Sequence, residues 1–180
     1  VARSFSSAST TTAADASAGA VTSAAPRRAS RVGNPPRTTQ RRTVEPTGRS
    51  MVTSVPTIRC LRDPTRGGLG TTLNEFARQS GVGMLIHEAK IPVRAEVSAA
   101  CEFLGLDPLY VANEGKLIAI CPPEDAPRLL DTMRTHPQGT EAAIIGEVVA
   151  DTHCFVQMET SFGGRRVVDW LTGEQLPRIC

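Results

Sequence analysis

The large apolar side chains of this chain begin abruptly at residue 51. Residues 1–50 contain no Leu, Ile, Met, Trp, Tyr or Cys and a single Phe, and consist mostly of Ser, Thr, Ala, Arg and Pro. A segment of this composition cannot bury enough apolar surface to offset its chain entropy. The sequence therefore predicts a disordered, low-complexity tail over residues 1–50 and places the folded part of the 180-residue chain from Met51 onward.

The composition of this tail leaves its origin open. A start that is rich in Arg, Ser and Ala and poor in acidic residues is typical of an organellar transit peptide. Translation ahead of the true reading frame gives the same composition, with Met51 as an internal start, and we favour that interpretation.

Charge and cysteine usage exclude several classes of protein. Residues 1–50 carry eight arginines against two acidic residues, a net of +6, whereas residues 51–180 carry twelve basic and sixteen acidic residues, a net of −4. The folded part thus lacks the basic balance of a nucleic-acid binder, and no apolar run is long enough to span a membrane. Five cysteines without C-x-x-C spacing or a Cys/His cluster predict reduced thiols, no zinc site and a cytoplasmic protein.

Apolar periodicity after residue 51 predicts helices and strands that first alternate, after which strands cluster. The predicted helices cover residues 68–79, 93–104 and 124–134, and the predicted strands cover 82–87, 116–121, 143–150, 154–160 and 166–170. This order favours an α+β domain over residues 51–172, built on a mixed β-sheet with helices on one face. Residues 173–180 are polar and aperiodic, which predicts a flexible C-terminal tail.

A glycine-rich segment, RDPTRGGLG at residues 62–70, directly precedes the first predicted helix. Glycines let backbone N–H groups approach an anion, and a helix N-terminus adds partial positive charge there. Arg66 could pair with phosphate oxygens, and Asp63 could hold Mg²⁺. The segment is not a Walker A loop, since no Gly-Lys-Ser/Thr follows. An ordinary turn capped by Asp63 is the alternative interpretation.

Two further residues could carry chemistry. Glu114 beside Gly115 would place a carboxylate on an accessible turn, as a general base requires. The residues alone favour a solvated glutamate that pairs with Lys116. Cys180 ends the chain, and the seven residues after Gly173 could extend up to about 25 Å, so the thiol could act as a tethered substrate. An incidental thiol at a frayed end is the alternative.

Three ordered motifs in the sequence resemble one family. They are DPTRGGL with TTLNE at residues 63–75, CEFLGLDPLYVANEGK at 101–116, and the ending PRIC at 177–180. Together they are similar to the C-terminal half of HypE-type hydrogenase maturation proteins, members of the aminoimidazole-ribonucleotide-synthetase-like superfamily. The resemblance covers essentially residues 51–180 and implies that superfamily's C-terminal domain fold.

The resemblance implies an ATP-dependent carbamoyl dehydratase that contributes the cyanide ligands of nickel–iron hydrogenase. In that family the partner HypF carbamoylates the terminal cysteine, which is then dehydrated to a thiocyanate with ATP and Mg²⁺. The cyano group passes to iron on a HypC–HypD complex. By resemblance, the catalytic residues are Cys180 and Glu114, and the nucleotide-facing residues are Asp63, Thr65, Arg66, Gly67, Gly68 and Asn113.

The chain departs from the family pattern at its N-terminal end. Family members have an additional N-terminal domain that supplies much of the ATP site and the dimer contact, and residues 1–50 do not resemble it. A homodimer is therefore expected only if such a domain is supplied. The alternative function is a truncated carrier or docking module that keeps only the carbamoyl-accepting Cys180. A selenophosphate synthetase, also of this superfamily, is disfavoured because such enzymes need no terminal thiol.

Overall fold

A seven-stranded sheet organises the part of the chain that the computed structural model describes, which is residues 20–24, 48–113 and 115–171. The strands are β1 (Ala20–Ala24), β2 (Cys60–Arg62), β3 (Gly83–His87), β4 (Leu117–Cys121), β5 (Ala143–Val149), β6 (Val156–Glu159) and β7 (Arg165–Val167). The helices are α1 (residues 48–54), α2 (Gly68–Ser80), α3 (Ala95–Leu104) and α4 (Ala126–Arg134). Short 3₁₀ helices cover Glu88–Lys90, Pro108–Tyr110 and Pro123–Asp125.

The strands are ordered β2-β4-β1-β5-β3-β6-β7. Among the described strands, only β3 and β6 pair in parallel, with Met84 opposite Val156, and the other neighbours are antiparallel. The predicted mixed sheet is therefore confirmed. The helices and strands predicted after residue 66 are all present, with bounds that differ by at most a few residues.

A strand from the N-terminal part of the chain lies in the middle of the sheet. β1 pairs with β4 on one side and β5 on the other, so that Ala20 lies opposite both Cys121 and Glu147. The prediction of disorder over residues 1–50 is therefore wrong for Ala20–Ala24, and also for residues 48–50, which begin α1. Two flanking ladders satisfy the backbone groups of this strand, and local composition does not reveal such partners. The rest of the predicted tail, residues 1–19 and 25–47, lies outside the described residues.

The predicted domain boundary at residue 51 falls inside α1. Met51 is completely buried and packs with Val55, which is also buried. The backbone N–H of Val55 donates to the carbonyl of Met51 at 2.8 Å. This helix therefore belongs to the core of the domain rather than to a segment that precedes it.

Strand β4 separates two clusters of buried side chains. Alternate residues of a strand point to opposite faces of the sheet. Leu117, Ala119 and Cys121 pack with α1 and α4, whereas Ile118 and Ile120 pack with α2. Helices thus cover both faces of the sheet at β4, where the sequence predicted them on one. Within the described ranges, no helix has the length and apolarity needed to cross a membrane.

Candidate active site

The glycine-rich loop connects β2 to α2 and is built by two consecutive left-handed residues. Gly67 has φ 66° and Gly68 has φ 63°, a region that glycine adopts without steric cost. A Cβ on Gly68 would lie 2.4 Å from the carbonyl oxygen of Leu109. Glycine at this position therefore lets the backbone of the loop touch the backbone of the 109–111 segment.

Two contacts hold the loop in place. The backbone N–H of Asn113 donates to the carbonyl of Pro64 at 3.0 Å. Arg62, at the start of the loop, forms an ion pair with Glu75 of α2. The structure thus brings together two motifs that are separate in the sequence, the Asp63–Gly68 segment and the segment that contains Asn113.

The N-terminus of α2 has the features of an anion site. Gly67 is the N-cap and makes no side-chain capping hydrogen bond, and no acidic residue stands in the first turn. The Asp63 side chain accepts no hydrogen bond from the described residues, so it does not cap the turn as the alternative interpretation requires. The backbone N–H groups of residues 68–70 point out of the helix without helical acceptors. The Thr71 hydroxyl is buried in the same turn and has no hydrogen-bond partner among the described residues.

The charged candidates of the loop are available for a ligand. Asp63 and Arg66 are exposed, and within the described ranges neither side chain forms a hydrogen bond or ion pair. Thr65 between them is half-buried. A carboxylate, a guanidinium and unpaired N–H groups at one helix end fit a phosphate group and its divalent cation. The two predicted catalytic residues, Glu114 and Cys180, lie outside the described residues.

Tyr110, which was not predicted as a functional residue, links the loop to the end of the fold. The hydroxyl of Tyr110 donates to the carbonyl of Asp169 at 2.8 Å. The ring of Tyr110 lies so close to α2 that a Cβ on Gly70 would be 2.7 Å from Cε1. Burial, helped by the charge of Asp107, raises the pKa of the Tyr110 phenol, so it stays a donor at neutral pH. Tyr110 is the only tyrosine of the chain, which was the available signal.

Asn74 is a second residue that the sequence did not single out. Its side chain is buried, and its amide donates to the carbonyls of Gly70 at 2.9 Å and Val168 at 2.8 Å. A buried polar side chain in the middle of a helix is expected to have partners, but the sequence does not say which.

Comparison with known proteins decides the family. A family model described as AIR synthase related protein, C-terminal domain, matches residues 4–159. The chain belongs to this family. The match begins well before residue 51, in agreement with the position of β1 in the sheet of this AIR synthase related domain.

The relatives of this domain include hydrogenase maturation proteins. Carbamoyl dehydratase HypE of Azotobacter vinelandii is 78% identical over 131 residues, which are 73% of this chain and 38% of the relative. A structure of hydrogenase maturation protein HypE in complex with ATP is 40% identical with a TM-score of 0.74, over 90% of this chain and 52% of that one. A chain from the structure of a HypE–HypF complex is 32% identical with a TM-score of 0.72, over 85% and 53%.

The predicted resemblance to the C-terminal half of HypE is therefore confirmed. The chain spans less than two fifths of the length of the Azotobacter relative and about half of the two structures. What those proteins bind and catalyse as wholes is consequently carried over to this chain only as a proposal.

The cysteines of the AIR synthase related domain have structural roles where they are described. Cys101 and Cys121 are buried, and Cys60 packs against the core. Burial raises the pKa of the Cys121 thiol to about 11, so this thiol is protonated at neutral pH and a poor nucleophile.

The described residues contain no ready-made metal cage. No group of three or more His, Cys, Asp or Glu side chains comes together within the described ranges. A magnesium ion at Asp63 would need the phosphate oxygens of a nucleotide as further ligands, which is the usual arrangement in nucleotide sites.

Lys116 is the last residue of the motif that contains Asn113. Burial and the neighbouring charge of Arg94 lower the pKa of Lys116. Its predicted pairing with Glu114 lies outside the described residues.

Proposed function

We propose that this chain is the C-terminal part of an ATP-dependent carbamoyl dehydratase that acts on its own Cys180 in nickel–iron hydrogenase maturation. The observation that carries the proposal is the hydrogen bond between the Asn113 N–H and the Pro64 carbonyl. This bond joins the glycine-rich loop, which would bind the nucleotide, to the motif that contains Glu114, which would act as the base. The reaction requires these two segments to lie close together. The similarity to a HypE that binds ATP supports the same assignment.

The loop would bind the phosphates of ATP. The unpaired N–H groups of residues 68–70 and the guanidinium of Arg66 would contact phosphate oxygens, and Asp63 would hold Mg²⁺. Gly67 and Gly68 keep this surface free of side chains, and Thr65 and Asn113 border it. Arg66 and the metal would offset the charge that develops on the transferred phosphoryl group.

The reaction starts from a carboxamide on the Cys180 sulfur. The carboxamide oxygen attacks the γ-phosphorus of ATP, ADP leaves, and the loss of one N–H proton gives an O-phosphorylated imidate. Glu114 would accept the second N–H proton as the C–O bond breaks. Phosphate then leaves and a thiocyanate, S–C≡N, remains on Cys180. Phosphorylation is needed because the unmodified oxygen is a poor leaving group.

Other proteins would act before and after this step. A HypF-type carbamoyltransferase would load Cys180, and the structure of a HypE–HypF complex supports that choice of partner. An iron-bearing HypC–HypD complex would receive the cyano group. The dimer would form only through an N-terminal domain of the kind that HypE proteins contain. We place the reaction in the cytoplasm because the cysteine pattern suits a reducing compartment.

A second candidate function rests on the coverage of the relatives. The matched segment is 38% of the Azotobacter protein. If residues 1–180 alone do not turn over ATP, the chain would act as a carrier module, which accepts a carbamoyl group on Cys180.

Titration calorimetry with ATP and Mg²⁺ separates the two candidates. The dehydratase proposal expects binding by the chain, alone or with the N-terminal domain of a HypE relative added. Arg66→Ala should weaken this binding about tenfold because a charge-assisted phosphate contact is lost. Arg128→Ala removes an exposed arginine from α4 and serves as the matched control. Wild-type protein that binds no ATP in either format would contradict the dehydratase proposal and favour the carrier.

A further inference from the structure

Helix α3 leaves most of its apolar side chains uncovered. Seven of its ten residues, AEVSAACEFL, are apolar, yet among the described residues of this helix only Cys101 is buried. Val97 is 45% exposed, Leu104 is 64% exposed and Phe103 is 91% exposed. A helix of this length is marginal in water and depends on the packing of its apolar face. The described part of the chain therefore covers only a small share of the apolar surface of α3.

One side of α3 borders a cleft of about 550 Å³, which we call the α3 cleft. The cleft lies between α3, the segment that follows this helix, and strands β6 and β7. Its apolar lining includes Ile91, Leu106, Leu109 and Met158. Clefts of this volume with mostly apolar walls and a few polar groups are typical of binding sites.

The charged side chains of the α3 cleft are three carboxylates and one guanidinium, from Glu88, Glu102, Asp107 and Arg166. Arg166 pairs with Asp107 at 2.9 Å, so this guanidinium does not neutralise the other two carboxylates. The Glu88 carboxylate is fixed through one oxygen, which accepts hydrogen bonds from the backbone N–H and the hydroxyl of Ser161. Two further negative charges beside apolar walls fit a cationic group on an apolar stem.

Two exposed aromatic side chains flank the cleft. Phe103 follows Glu102 of the lining, and Phe162, which is 99% exposed, follows the serine that fixes Glu88. Exposed apolar patches bordered by polar groups are typical of protein–protein contact sites, where aromatic residues are enriched. A small molecule inside the cleft would leave both rings in water. The surroundings of the cleft therefore favour a protein over a metabolite as its occupant.

We propose that the α3 cleft docks a protein partner through an arginine or lysine side chain that is flanked by apolar residues. The basic group would lie against Glu88 and Glu102, its aliphatic stem would contact the apolar walls, and the apolar neighbours would cover Phe103 and α3. A second copy of the chain would bring the same carboxylates face to face, so charge disfavours a symmetric dimer through this surface. The inference does not depend on the proposed function, because no residue assigned to the nucleotide or to the base lies in the cleft.

NMR titration of the ¹⁵N-labelled 180-residue chain tests the inference with short peptides. Acetyl-Phe-Arg-Leu-amide presents the expected pattern, and acetyl-Phe-Glu-Leu-amide is its charge-reversed control. We expect the first peptide to shift the amide signals of Gly105, which lines the cleft, and of Ser161, with a dissociation constant on the order of 1 mM. The second peptide should bind about fivefold more weakly, because its carboxylate would face those of the cleft.

Two substitutions separate the charge of the cleft from its aromatic flank. Glu102→Gln should weaken binding of the arginine peptide about threefold, since one exposed ion pair is lost. Phe103→Ser should weaken it by a similar factor, because apolar area is no longer buried against the peptide. Glu124→Gln and Val52→Ser change an exposed glutamate and an exposed valine outside this region, and both should match the wild type.

Several outcomes would overturn the inference. They are unchanged signals of Gly105 and Ser161 at about 10 mM arginine peptide, equal binding of the two peptides, and binding that neither Glu102→Gln nor Phe103→Ser weakens. Benzamidine that binds the cleft as tightly as the peptide would assign it to a small cation. Shifts of the same signals with protein concentration alone would assign it to a second copy, and displacement of the peptide by an added HypE N-terminal domain would assign it to a contact within the enzyme.

Discussion

The backbone N–H of Asn113 lies 3.0 Å from the carbonyl oxygen of Pro64 and donates a hydrogen bond to it. This bond fixes the distance between the glycine-rich loop and the motif that precedes β4. The close approach of Gly68 to the Leu109 carbonyl extends the same contact along the backbone. Because both contacts involve backbone atoms, they constrain the position of the loop more tightly than side chains on a flexible surface would.

The first prediction concerns this backbone contact. Gly68→Ala places a Cβ 2.4 Å from the Leu109 oxygen at φ 63°, and we expect it to cost about 2–4 kcal/mol of unfolding free energy. Gly105→Ala is the control, because Gly105 has φ 67° but open space within 4 Å of an added Cβ, so only about 1 kcal/mol of backbone strain applies. Urea denaturation measures both. Equal costs would show that the loop does not need the contact.

The second prediction concerns the buried amide of Asn74. Asn74→Ala leaves the Val168 carbonyl without its donor and should cost about 1–3 kcal/mol. Asn74→Asp should cost more at neutral pH, since a carboxylate would face two carbonyl oxygens. Thr132→Ala removes an exposed hydrogen bond to the Arg128 carbonyl and should change stability by less than about 0.5 kcal/mol. Thermal unfolding of the three variants provides the comparison, and a fully stable Asn74→Asp protein would refute the assigned bonds.

The third prediction concerns pH and the Cys121 thiol. Burial, with smaller contributions from Asp125 and Glu124, raises the pKa of Cys121 from 9.0 to about 11. Below pH 9 both the folded and the unfolded state keep this proton, so its full contribution to stability is present. Between pH 9 and about 11 the unfolded state releases the proton first, and the native state loses stability as pH rises.

Cys121→Ser tests that sign, because serine does not titrate in this interval. The variant should be less stable than the wild type near neutral pH, yet its free energy of unfolding should fall less steeply as pH rises through the interval. Urea denaturation at a series of pH values gives both slopes. Identical slopes would mean that folding does not raise the pKa of the Cys121 thiol.

Local apolar periodicity predicted those helices and strands whose own residues show the pattern. The apolar spacing of α2 is a local feature, and this helix was predicted correctly. Strand β1 was missed because Ala20–Ala24 has few large side chains and is stabilised by two ladders to distant strands. All five residues of β4, which have the sequence LIAIC, are buried. An uninterrupted apolar run of this kind is typical of a strand covered on both faces, and this sequence signal was available but not used.

The sequence predicted which motifs contribute to the candidate site but not how these motifs are arranged in space. The loop was named from its residues and Asn113 from the family resemblance, but their contact depends on the path of the chain between them. Tyr110 and Asn74 were missed for the same reason, since their partners Asp169 and Val168 lie far along the chain. Such long-range hydrogen bonds leave no pattern in a single sequence.

The proposed function requires that Cys180 carries a carbamoyl group, which ATP-dependent chemistry converts to a thiocyanate. Intact-mass analysis after incubation with a HypF-type partner, carbamoyl phosphate and ATP tests it most directly, with Cys180→Ala as the control. We expect the addition of one carbamoyl group at Cys180, followed by the loss of one water only when ATP is present, and neither change in the folded alanine variant. Carbamoylation without water loss, in the presence of an added HypE N-terminal domain, or equal product from Cys180→Ala, would contradict it.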